Sequence, residues 1–408
     1  MNEDGRRRRR ILAGVLGLAA VGIGSEAAAE PEREGPRRRL RRRLARRQRA
    51  FREAIAERRL ANPEAFERSR RGEIITRGRI IAIDPGPAGL FEIQRLGMRR
   101  LRDRTAGDLG VRYLVLLAPR GMSAQDARDA LERADPGGAY ELDHVFDPSD
   151  AGPSAANVAK AGAASAPLAS GAGLRIGIVD GGVDLRHPSL ARARIETRAF
   201  VAQSAPSSHG TAVASLLVGD DGDFRGALPG AQVFAADVFG ADPDGGSAEA
   251  IAEAIGWLVS QRASVISVSL EGPPNRLVEA VCKAAVARGV LLVAAVGNSG
   301  PNAPVAYPAA YPSVVAATAV DASDRVFLFA NRGPQVAFAA LGVDVEAAAE
   351  GDAYTSVSGT SFAAPRVAAA LAALRAADPK AAIETLARRV RDLGAPGRDV
   401  VYGFGRAL

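Results

Sequence analysis

The chain has 408 residues, 47% of them hydrophobic and 5% aromatic, with a formal charge of +7. Such a composition excludes a mostly disordered or fibrous protein and supplies more than one packed region. Arginine is crowded into the N-terminal stretch, so the basic balance describes a tail rather than a nucleic-acid-binding domain; a single cysteine, Cys282, excludes an internal disulfide.

In chain order, Arg6 to Arg10 form a basic start, Ile11 to Gly24 an uninterrupted small and apolar run, and Ala27 to Ala29 an A-x-A cleavage pattern before Glu30. Residues 1–29 therefore read as a signal peptide, and the protein as exported to the periplasm or beyond the cell. The alternative is an uncleaved segment that anchors the chain, although the run is shorter than the ~20 residues of a spanning helix. Residues 30–70 follow as an Arg-rich leader, helical or disordered. Leu40, Leu44, Phe51 and Ile55 share one helical face there, which allows membrane contact through the N-terminal segment.

Residues 71–147 show the order strand, helix, strand, strand, helix, strand. RIIAID ends before Pro85, VRYLVLL spans Val111 to Leu117, Ser123 caps a second helix, and YELDHVF closes the series at Phe146. This predicts a small α+β ferredoxin-like unit, with His144 in a structural role. Residues 148–172, rich in Ala, Ser, Gly and Pro, read as a linker.

From residue 173 to 408 the pattern changes to short runs that are apolar on both faces, among them LRIGIV, VFAADVF, SVISVSL, VLLVAAV and SVVAATAV. Helical patterns from Ser247 to Arg262 and Asn275 to Gly289 separate some of them; Cys282 sits on the apolar side of the second with Leu277, Val278, Val281 and Ala285 and reads as core packing. Alternation of this kind predicts a doubly wound α/β domain around a parallel sheet. Active sites in such sheets collect at the carboxyl ends of the strands. Asp180 ends LRIGIV, His209 opens a helical stretch in SSHGTAVASLL, Asn298 follows VLLVAAV, and Ser361 starts a long helix in SGTSFAAPRVAAALAAL. Each type suits acyl transfer: a serine hydroxyl needs a base to take its proton, and imidazole serves near neutral pH. A carboxylate behind the ring fixes its tautomer, and a side-chain amide beside a helix-start N–H stabilises a developing oxyanion.

These segments resemble the subtilisin-like serine proteases (subtilases). DGGVD is similar to the family's aspartate motif, HGTAVAS to its histidine motif, SGTSFAAPRVAA to its serine motif, and GNSGP to the segment bearing the oxyanion asparagine; the likeness covers nearly all of residues 173–408. It implies a serine endopeptidase with Asp180, His209 and Ser361 as catalytic residues, Asn298 as oxyanion donor, and Ser269, Leu270, Glu271 and Gly297 lining the substrate cleft. Ala212, Ser215, Phe362, Arg366 and Ala369 depart from the family's usual residues without touching the triad. Glu271 stands where Gly is usual; a carboxylate there either favours basic substrate side chains or is a solvated residue on the rim of the cleft.

The resemblance also implies that residues 71–147 act as a propeptide, with self-cleavage between about Asp147 and Gly173. Expected partners are protein or peptide substrates and the chain's own propeptide, for a monomer that needs no cofactor. A structural calcium is allowed but not indicated, since DDGD at Asp220 to Asp223 reads as a solvated turn. His187 is expected at the surface. The competing classes are a silent binding module and an Arg-rich nucleic-acid binder, the latter disfavoured because the leader has almost no aromatic side chains to stack on bases.

Overall fold

The computed structural model describes residues 46, 49–50, 53–149, 167–240, 245–374 and 379–407; the signal segment, about half of the leader and residues 150–166 of the linker lie outside them. A helix over residues 53–60 (α1) leads into β1 (Phe66–Arg68) and β2 (Ile74–Ile83). They are followed by α2 (Pro87–Arg95), β3 (Arg99–Thr105), β4 (Arg112–Leu117), α3 (Ala124–Ala134) and β5 (Ala139–His144). The strands form one antiparallel sheet in the order β1-β2-β4-β3, with β5 also on β2. The strand–helix–strand–strand–helix–strand order read from the sequence is the order observed, and Ser123 caps α3 by accepting from Asp126 N. The sequence does not reveal β1, which falls in the stretch read as leader: three residues are too few to show a period, and β2 supplies the pairing.

One face of this sheet buries Ile75, Ile80, Leu114, Leu116 and Leu142 under Ile93 and Leu131 of α2 and α3. The opposite face, with Ile81, Tyr113 and Val115, joins the main core of the chain. Burial on both faces explains why β4 reads as an unbroken apolar run.

After the two-residue β6 (Asp147–Pro148) comes the second layer system. It comprises β7 (Arg175–Asp180), β8 (Arg194–Ala199), α4 (Ser208–Val218), β9 (Gln232–Asp237), α5 (Ala248–Ser260), β10 (Val265–Val268), β11 (Leu270–Glu271), α6 (Arg276–Ala287) and β12 (Leu291–Ala295). Then follow β13 (Val315–Val320), β14 (Val336–Leu341), β15 (Val345–Ala348), β16 (Tyr354–Val357), α7 (Thr360–Ala373) and α8 (Pro379–Ala387). Seven of the strands pair in parallel in the order β14-β13-β12-β10-β7-β9-β8, which is the doubly wound sheet the alternation predicts. Two of the helix starts are chemically marked as the sequence suggests: Ser247 caps α5 and Asn275 caps α6. Alanines let α7 lie close against the sheet, and Pro365 is accommodated in its early turns. The polar edge strand β8 carries no apolar period and so escapes sequence reading.

Candidate active site

Asp180 is the last residue of β7, between β9 and β10, where the chain connections diverge to the two halves of the sheet. Its Oδ1 accepts from Gly181 N at 2.6 Å and from His209 Nδ1 at 2.9 Å. A carboxylate can only accept, so Nδ1 carries the ring proton and Nε2 is the acceptor for Ser361 Oγ–H at 2.9 Å. His209 is the second residue of α4, whose start is fixed by Ser207 accepting from Gly210 N. Phe362, next to Ser361 in the first turn of α7, packs its ring 5.0 Å from the imidazole and shields that side of the pair. Three residues 29 and 152 positions apart in sequence thus form one hydrogen-bonded line.

Asn298 follows β12 and is fully buried. Its Oδ1 accepts from Thr360 N and Thr360 Oγ1, each at 3.0 Å, and this sets the orientation of the amide. Nδ2 is thereby turned outward, and it donates to the carbonyl oxygen of Ser149 at 2.9 Å. Thr360 is a positioning residue that the sequence motif contains but composition alone does not single out.

The acceptor of that bond belongs to the chain's own strand, lying in the cleft. Phe146 N donates to Gly246 O at 2.8 Å, Pro148 and Asp147 of β6 pair antiparallel with Leu270 and Glu271 of β11, and Ser149 N donates to Ser269 O at 3.1 Å. Residues 146–149 are therefore an added strand between the segments at 245–247 and 269–271. The Phe146 ring is fully buried over Gly272, where an added Cβ would stand 2.3 Å from ring atom Cδ1. Arg59 of α1, itself buried, holds the strand from behind: it donates to the Asp147 carboxylate, to Phe146 O at 3.2 Å and to Gly245 O at 3.3 Å.

Every site residue read from the sequence falls in this region. Leu270 packs in the core, Ser269 Oγ donates to Ser361 O at 3.4 Å, and Gly297 N donates to Thr360 Oγ1 at 3.3 Å. Glu271 is buried rather than a solvated rim residue, and its Oε2 accepts from Asn298 N at 3.1 Å. Gly297 has φ +100°, and a Cβ there would meet that same Oε2 at 2.7 Å. Arg59 and Ser149 carried no signal in the sequence, because a buried arginine in an Arg-rich run and a serine in a Ser-rich linker look like their neighbours.

His187 is corrected: it is buried, with Nδ1 on Ser189 Oγ at 2.9 Å, Nε2 on Ala353 O at 3.0 Å, and an edge contact to Tyr354. A histidine in a polar stretch gave no hint of the tyrosine lid supplied by β16. Cys282 lies in the core, where burial pushes its thiol up to about 12. At the DDGD turn Asp221 accepts from Phe224 N and from the Tyr354 hydroxyl. Among the described residues no group of three or more His, Cys, Asp or Glu side chains is placed to hold a metal, and no helix is long and apolar enough to cross a membrane.

A parallel α/β sheet with an aspartate, histidine and serine hydrogen-bonded in series at its carboxyl edge defines a serine hydrolase of the doubly wound class. Residues 171–405 match the model of the subtilase family, Peptidase S8, and the chain belongs to that family and is a serine endopeptidase. It is 32% identical over 260 residues to subtilisin E of Bacillus subtilis, covering 60% of this chain and 68% of the relative. It is also 32% identical over 250 residues to the minor extracellular protease Epr of the same organism, covering 58% of this chain but only 38% of that protein's length. The fold is similar to that of fervidolysin, a keratinolytic enzyme from Fervidobacterium pennivorans, with a TM-score of 0.69 at 20% identity over 84% of this chain and 62% of the other.

Proposed function

We propose that the chain is a self-processing zymogen of an exported endopeptidase, and that its own first substrate is the bond following Ser149. The observation that carries this reading is the placement of Ser149. Its N–H is held by Ser269 O, and its carbonyl oxygen accepts from Asn298 Nδ2 beside the Ser361–His209 pair. In this reading Ser361 Oγ attacks the Ser149 carbonyl carbon while its proton passes to His209 Nε2. Asp180 stabilises the imidazolium, and Asn298 Nδ2 donates to the oxyanion. Collapse breaks the bond to the Asp150 nitrogen, which leaves with the proton from His209. A water molecule then attacks the acyl-enzyme, giving a Ser149 carboxylate and regenerating the Ser361 hydroxyl. Residues 71–147 act as the propeptide that delivers the strand, with residues 148–172 as the processed connection. Peptide substrates later add to the same two segments in its place.

Export follows from the N-terminal pattern of residues 1–29 and accords with the extracellular description of the Epr relative. Purified wild-type protein and Ser361→Ala, compared by intact mass and N-terminal sequencing, test the processing. The expected result is a new N-terminus at Asp150 in the wild type alone. An intact wild-type chain, or the same fragments in Ser361→Ala, overturns it.

A further inference from the structure

The proposed cleavage makes Ser149 the residue before the scissile bond, and the following rests on that reading. We propose that Glu271 closes the pocket for this residue from within, so that the enzyme takes a small side chain such as Ser or Ala immediately before the bond it cuts. Opposed residues of an antiparallel pair share a face, and residues two apart along a strand do so as well. Glu271 opposes Asp147, so its side chain lies on the face shared by Asp147 and Ser149. Ser149 is fully buried between two walls, bonded to Ser269 O on one and to Asn298 Nδ2 on the other, the latter reaching both its O at 2.9 Å and its Oγ at 3.3 Å. The Glu271 side chain starts on the first wall and ends on the second, where Oε2 takes Asn298 N–H at 3.1 Å. Gly297 makes room for it, since any Cβ at that position would lie 2.7 Å from the carboxylate oxygen. The glutamate therefore spans the space into which a longer substrate side chain would extend.

The same geometry argues against a preference for basic residues. The carboxylate is buried and already bonded to a backbone N–H, and turning to a lysine or arginine would leave that N–H without its acceptor. The chain's own sequence agrees, because the residue occupying the pocket is a serine.

The test is self-cleavage of the full chain with residue 149 varied. Wild type and Ser149→Ala are expected to process at comparable rates, whereas Ser149→Phe and Ser149→Lys slow by at least about tenfold, the scale on which a pocket rejects excess volume. Glu271→Gly, which restores open space, is expected to rescue Ser149→Phe by about tenfold or more. Glu271→Gln keeps the volume without the charge and is expected to retain the wild-type ranking. Equal processing of Ser149→Phe and wild type, or faster processing of Ser149→Lys that disappears in Glu271→Gln, overturns the pocket assignment while leaving self-processing intact. Absence of cleavage after position 149 even in the wild type overturns the zymogen reading and this inference with it. Should Glu271→Gly fail to fold, Glu271→Ala provides the same comparison.

Discussion

At the scale of single residues, the site depends on which atoms are already committed. Asp180 Oδ1 accepts from both Gly181 N and His209 Nδ1, and Oδ2 is buried without a partner among the described residues. Asp180→Asn preserves the shape but removes the charge that supports the imidazolium. It also places an amide N–H₂ either toward His209 or at the position of Oδ2, where no acceptor is available. We expect kcat for peptide hydrolysis to fall by about 10⁴-fold with KM little changed, the magnitude established for this exchange in another serine protease. Steady-state kinetics on the processed enzyme measure it; a loss confined to KM would contradict the role. The identities of Asp180, His209, Asn298 and Ser361 are legible in the sequence because their motifs are local. Their convergence is not, since it depends on hydrogen bonds across as many as 152 positions. The environment of Glu271 is likewise invisible: sequence gives its charge, but only the fold shows that the Asn298 N–H has claimed it.

At the scale of elements, α1 acts through one side chain. Arg59 joins the helix, the cleft strand and the loop at Gly245 by charge-assisted bonds, and it is 1% exposed while the Asp147 carboxyl is 45% exposed. Bonds to charged groups contribute about 1.5–3 kcal/mol each at best, less here because one end is open to solvent. After the proposed self-cleavage this contact is expected to slow departure of the N-terminal fragment. Arg59→Ala should therefore weaken fragment retention by about 10–100-fold, without altering the first cleavage more than a few-fold. Co-purification of the fragments with added Ser361→Ala enzyme as a trap reads the off-rate, and an unchanged rate would show that α1 is a bystander. The ferredoxin-like strand order was legible from alternating apolar runs and the Ser123 cap. The seating of 146–149 was not, because Pro, Ser and Asp carry no strand period, and the pairing comes from β11.

At the scale of the whole molecule, the contact between the N-terminal sheet and the peptidase core contains a buried charge cluster that responds to pH. Asp143 of β5 is completely buried; its Oδ1 accepts from Glu249 N, and Arg79 of β2 stands 3.5 Å from its Oδ2 and 3.7 Å from Glu249. Arg102 of β3 donates to both Glu249 oxygens at 2.9 and 3.0 Å, and Tyr113 of β4 donates to Glu253 of α5. Burial first, and then the Asp143 charge, raise Glu249 to about 7; burial raises Asp143 as well. Separation of the two parts returns both carboxyls to water and to the ordinary range. The assembled state therefore binds protons that the separated parts release between about pH 4.5 and 7. The Glu249 contribution is fully present below that window and is lost as pH rises through 7. His144, buried nearby, accepts from Asn275 Nδ2 at 3.0 Å through Nδ1 and has Glu73 Oε2 3.3 Å from Nε2. Glu249→Gln isolates the carboxylate part. Affinity of the cleaved N-terminal fragment for Ser361→Ala enzyme, measured from pH 5 to 8, should fall with rising pH by an amount bounded on the order of a hundredfold for Glu249. The slope should flatten in Glu249→Gln, and an identical profile in the two proteins would remove Glu249 as its source. Should the slope hold, the same contact that lets the fragment stay bound after self-cleavage in acid would favour its departure in neutral or alkaline surroundings.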